Sequence, residues 1–118
     1  QKTARILNDF VRRGGRLGLV CDLFDRTGVA VPFFGKPAQT QAIGAMVARR
    51  VGSRMWMSCC RRVGNESRFV VEIKELRVPR TANPADDIRT IMTEMQRQFE
   101  AWVRETPDQW MWSNRRWS

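Results

Sequence analysis

Residues 22–40, DLFDRTGVAVPFFGKPAQT, constrain the fold of this chain more than any other stretch. An apolar run ends at the acidic Asp22, and a polar loop, 23–28, follows. Val29 to Phe34 then reads as extended backbone. Pro32 has no N–H for a ladder, so this piece belongs at a sheet edge or in an irregular strand. Phe33 and Phe34 are followed at once by Gly35, Lys36 and Pro37. Such a string suits a pocket wall that ends in an open backbone corner. Core packing followed by a surface turn is the other reading of the same residues.

The apolar run before Asp22, residues 16–22 (RLGLVCD), has the continuous character of a strand covered on both faces. Thr40 is placed to cap a helix over 41–51, with Ile43, Met46, Val47 and Val51 as its stripe and Gly52 as its stop. Residues 54–60 (RMWMSCC) read as a second buried strand. Strand, helix and strand in that order imply a right-handed parallel crossover. Gly64 and Asn65 mark a turn, and 67–76 alternates with Phe69, Val71 and Ile73 on one face, so 54–76 reads as an antiparallel hairpin at a sheet edge. Thr3 to Arg13 is an expected helix with Ile6, Leu7, Phe10 and Val11 together, stopped by Gly14 and Gly15. Asn83, Pro84, Asp86 and Asp87 form a strong helix start. Ile88, Ile91, Met92, Met95, Phe99, Trp102 and Val103 carry a core stripe to Pro107. The expected class is therefore α/β, with a mixed, mostly parallel sheet flanked by helices.

Bulk properties bound the function. At 118 residues, 42% hydrophobic and 28% charged, the chain is one globular domain or part of one. It has no apolar run near the roughly 20 residues of a membrane span. It starts QKTARI without an initiator Met, which reads as a segment of a longer polypeptide. The net charge is +9, carried by Arg except at Lys2, Lys36 and Lys74. Such a surface favours anionic partners. Cys21, Cys59 and Cys60 lack disulfide-framework or zinc spacing and read as buried thiols.

The chain contains no histidine. Ser-His and Cys-His chemistry therefore cannot come from this chain alone, and no catalytic residue or metal ligand set is assigned within it. The GGRLG string precedes a strand, whereas a dinucleotide fingerprint follows one, so no phosphate loop is read there. Asp22 sits at the end of a strand where α/β sheets place ligands, or else serves a turn or cap. Trp110, Trp112 and Trp117 suit either a seal on the core or a membrane interface, and Arg115 and Arg116 suit either phosphate or solvent.

Asp22, the string GVAVPFFGKPAQT (28–40), residues 51–53 and the tail WMWSNRRW (110–117) together resemble the C-terminal half of the bacterial lipid A biosynthesis acyltransferases, within the lysophospholipid acyltransferase superfamily. The resemblance spans about residues 5 to 117. Leu23 stands where that family usually has Gln, and Asn114 where it often has His. Cys59 and Cys60 stand where it more often has Pro and Val. The resemblance implies that 1–118 is the C-terminal portion of a single acyltransferase domain. The catalytic His-x-x-x-x-Asp/Glu and the membrane anchor would lie upstream. It implies transfer of a fatty acyl chain from acyl carrier protein to a lipid A precursor hydroxyl, without a cofactor, at the cytoplasmic face of the inner membrane. Asp22, Phe33, Phe34, Gly35 and Lys36 would line the acyl-acceptor pocket. The basic surface would meet the acidic carrier protein and an anionic membrane surface. A basic α/β module binding nucleic acid or another anion is the alternative, disfavoured because no nucleic-acid motif is present.

Overall fold

A computed structural model describes residues 2–117. Helix α1 (Lys2–Arg12) is followed by strands β1 (Phe24–Phe33) and β2 (Lys36–Thr40). Helix α2 (Ile43–Val51), strands β3 (Met55–Arg62) and β4 (Phe69–Leu76), and the long helix α3 (Pro84–Glu105) complete the order, with a 3₁₀ turn at Pro107–Gln109.

The sheet differs from the expected mostly parallel one. Two separate antiparallel pairs form, β1 with β2 and β3 with β4. Residues 16–21 join neither pair, and Val20 is 70% exposed. A strand needs a neighbour for its N–H and C=O groups, and among the described residues none stands beside this run. The parallel crossover therefore does not form. The polar loop expected over 23–28 is instead largely strand: β1 starts at Phe24, and both Phe24 and Val29 lie opposite Thr40 across a bulge. The bulge brings Gly28 onto the Thr40 carbonyl so closely that a Cβ there would overlap it.

Helix α3 organises the core. Asn83 caps it, accepting from the Asp86 N–H at 3.3 Å. Its buried stripe includes Ile91, Met92, Met95, Trp102 and Val103, close to the sequence expectation. Of these, Ile91, Met92, Met95 and Trp102 pack with Val31 of β1, Ala42 and Ala45 at α2, and Met57 and Leu76 of the second hairpin. Burying each large side chain contributes about 1.5–3 kcal/mol. A buried Asp87 ties the entry of α3 to α2. It accepts Arg49 Nε at 2.7 Å, Thr81 N–H at 2.9 Å and Thr81 Oγ1 at 2.7 Å.

Several expected faces are corrected. Helix α2 buries Ala45, Val47 and Ala48, while Met46 is exposed. Thr40 is not its cap; the N-cap position is Ala42, with no side-chain bond. In β4 the expected apolar face points outward: Phe69, Val71 and Ile73 are 51%, 59% and 64% exposed. The opposite face carries Leu76 inward beside Met55 and Met57. Alternation identified the strand but not which side meets the core. Helix α1 likewise leaves Ile6 and Phe10 exposed. The radius of gyration, 15.1 Å, exceeds the roughly 13.5 Å of a compact domain of this length.

Candidate functional site

The tip of the first hairpin is a two-residue turn. Phe33 pairs with Lys36, leaving Phe34 and Gly35 between them at φ of 49° and 73°. Positive φ at both positions is the pattern of a type I′ turn, which matches the twist of a hairpin. Gly35 adopts it without cost. Phe34 does not, and a side chain held there costs about 1–2 kcal/mol.

Contacts from α3 offset that strain. The Phe34 N–H donates to Glu100 Oε1 at 2.6 Å, and Arg104 lies 4.7 Å over the Phe34 ring while also donating to Glu100 at 3.1 Å. Phe34 in turn meets Phe33 edge-on at 4.8 Å. Gly35 has nothing within 4 Å of where a Cβ would stand, so its backbone is open to an incoming group. Lys36 is exposed and forms no ion pair among the described residues.

Behind the tip, the tail closes over Phe33. Trp117 stacks on the buried Phe33 ring at 5.5 Å and donates from Nε1 to its carbonyl at 3.3 Å. Trp110 lies 5.9 Å away on the same ring. Arg116 is 3% exposed, with its guanidinium 4.9 Å from that ring. Its Nη2 donates to Thr40 Oγ1 and to Gln96 Oε1, both at 2.6 Å, and Nη1 donates to the Gln39 carbonyl at 3.2 Å. Burial pushes the Arg116 pKa down, and the charge of Asp22 opposes that shift. The tail therefore seals the wall at Trp110, Arg116 and Trp117, while Trp112 faces outward.

Asp22 lines a groove of about 1020 Å³ between the irregular segment 15–22, β3 and α3. Phe33, Phe34, Gly35 and Lys36 do not line it; Trp110, which packs on Phe33, does. The structure thus gathers four of the five sequence-assigned residues at one hairpin tip and sets Asp22 in the adjoining groove. Cys21 and Cys59 also line the groove. Burial, with Asp22 adding, raises the Cys21 thiol; burial outweighs Arg61 to raise Cys59. Both are thiols rather than thiolates at neutral pH, so neither is an activated nucleophile.

Sequence reasoning missed Gln96 and Glu100, which together with Arg104 of the same helix hold this wall. Gln96 was detectable as a polar residue inside the Met92–Met95–Phe99 stripe. Glu100 gave no such signal, because an acidic residue four places from an Arg reads as a surface pair. Among the described residues no cluster could hold a metal ion, and no helix is long and apolar enough to cross a membrane.

An aromatic hairpin tip, an open glycine corner and a tail of Trp and Arg packed on it are the parts that the resemblance joined from opposite ends of the sequence. The family model for bacterial lipid A biosynthesis acyltransferase matches residues 5–118, nearly the whole chain. No curated protein matches it. The chain belongs to the bacterial lipid A biosynthesis acyltransferase family.

Proposed function

We propose that this chain is the C-terminal part of one acyltransferase domain that moves a fatty acyl chain from acyl carrier protein to a hydroxyl of a lipid A precursor. The family match supports the chemistry. The observation that supports this chain's part in it is the pinned tip Phe33–Lys36, an aromatic pair followed by an open glycine corner and a lysine unpaired among the described residues.

In this reading the general base is a His upstream in the same domain, as the family resemblance implies; this chain itself contains no histidine. That base takes the proton of the acceptor hydroxyl. The oxygen attacks the thioester carbonyl carbon, the C–S bond breaks, and the carrier thiol leaves with the proton. This chain's residues bind and orient the acceptor. Phe33 and Phe34 form an apolar wall, Gly35 lets the acceptor approach the backbone, and Lys36 pairs with an acceptor phosphate. Asp22 lines the adjoining groove. The work takes place at the cytoplasmic face of the bacterial inner membrane, where the basic surface faces anionic lipid. No cofactor and no nucleic acid enters this reading.

The test is transfer of labelled acyl chain from acyl carrier protein to a lipid A precursor. The intact gene product is expected to transfer and the 118-residue chain alone is not. Transfer by the chain alone, or none by the intact product, contradicts the proposal.

A further inference from the structure

Arg116 stands behind the first hairpin, buried, and forms no ion pair among the described residues. Its guanidinium bonds run instead to neutral oxygens on two elements: the Gln39 carbonyl and Thr40 Oγ1 at the end of β2, and Gln96 Oε1 on α3. Thr40 Oγ1 donates in turn to the Ala38 carbonyl at 3.0 Å. The same guanidinium lies 4.9 Å from the ring of Phe33, the last residue of β1. One planar group therefore holds β1, β2 and α3 in a single arrangement. Its neighbours in the chain grip the two ends of β1. The Arg115 carbonyl accepts from the Phe24 N–H at 3.3 Å, and Trp117 Nε1 donates to the Phe33 carbonyl. Gln96 lies one helical turn before Glu100, which holds the Phe34 N–H, so both fastenings of the hairpin sit on one face of α3.

Stability alone does not account for a cation at this place. Burying a guanidinium without a carboxylate partner is costly, and apolar side chains of similar size often fill such a site with no loss. Arg116 Nε and Gln96 Nε2 are also buried without a partner, so the network leaves donors unused. What the guanidinium supplies is direction, because hydrogen bonds fix position where apolar packing permits sliding. We propose that Arg116 is a positioning residue for the acceptor site: without lining the pocket, it fixes where the tip Phe33–Lys36 stands against α3. The proposal rests on the reading above that this tip meets the acceptor. Orienting groups lose effect when displaced by about 0.5–1 Å, so a tip free to slide by that much binds the acceptor less well.

The experiment is steady-state kinetics of the intact gene product, with its melting temperature, for two variants. Arg116→Lys keeps the charge and loses the planar fork. Arg116→Met combined with Gln96→Leu and Thr40→Val replaces the network by apolar groups of similar size, an exchange that folds tolerate. The Michaelis constant for the lipid A precursor is expected to rise roughly threefold in the first and roughly tenfold in the second, with kcat and the donor's constant unchanged. A purely structural role would instead lower kcat in step with the folded fraction and leave both constants alone; that result overturns the proposal. So does an apolar variant that melts as wild type does and keeps the wild-type acceptor constant. Lys36→Ala, at the exposed side of the tip, separates this proposal from the reading beneath it. If Lys36→Ala raises the acceptor constant and the Arg116 variants do not, only the positioning role falls. If none of the three raises it, the tip reading falls and the positioning role with it.

Discussion

Arg116 places Nη2 2.6 Å from Thr40 Oγ1 and thereby fastens the last residues of the chain to the end of β2. Thr40 is fully buried, as is Gln96, the other acceptor on the same nitrogen. Truncation by Arg116→Ala strands both acceptors and uncovers the Phe33 ring. The expected loss is about 1–3 kcal/mol from the unpaired groups. Arg116→Lys should recover only part of it, because an ammonium lacks the planar fork. Urea denaturation of the two variants checks this; equal stability of Arg116→Ala and wild type contradicts it.

The turn at Phe34–Gly35 makes a local prediction. Gly35→Ala puts a side chain at φ of 73° and should cost about 1 kcal/mol, while Gly35→Asn should be milder. Glu100→Ala should lower hydrogen-exchange protection of the Phe34 amide specifically, since that N–H donates to the Glu100 carboxylate at 2.6 Å. Unchanged protection at Phe34 would show that the contact does not hold the tip in solution.

Asp87 gives the chain an acid-sensitive term. Burial pulls its pKa upward, but the hydrogen bonds from Thr81 and Arg49 outweigh burial, and the folded value lies below the ordinary 3.8. A depressed carboxyl favours the folded state fully above its unfolded pKa, and that contribution fades as pH falls from about 4 through the folded value. Asp87→Asn should therefore be less stable than wild type at pH 7, with the gap narrowing below about pH 4. Thermal melts across pH 2.5–7 read it, and a pH-independent gap would contradict the assignment.

The three thiols should separate in alkylation. Cys60 is exposed, whereas Cys21 and Cys59 are partly buried with raised pKa values. Iodoacetamide should modify Cys60 first at pH 7.5, and the other two should react only as pH rises, because the thiolate is the nucleophile. Mass spectrometry gives the order; Cys21 reacting first would contradict the burial seen here.

Local signals carried much of this fold. The cap at Asn83, the α3 stripe and the Phe33–Lys36 corner all lie in short stretches whose chemistry is self-contained. The sheet was not legible in the same way. Residues 16–22 look like a strand by composition, but strand pairing is a long-range property, and no partner lies beside them among the described residues. The outward face of β4 follows from the same limit, since alternation is symmetric until a partner selects one side. At the site, Phe33 to Lys36 were readable because they adjoin. Arg116, Gln96 and Glu100 reach that wall from distant positions, and only the tertiary fold brings them there.

The most direct test of the account is the acceptor kinetics of Lys36→Ala in the intact gene product. Lys36 is exposed and unpaired among the described residues, so its truncation leaves the fold intact. If the hairpin tip lines the acceptor pocket, the Michaelis constant for the lipid A precursor rises roughly fivefold to tenfold, as expected for losing one charge-assisted contact, while the donor's is unchanged. An acceptor constant equal to wild type would contradict the claim that this tip meets the acceptor.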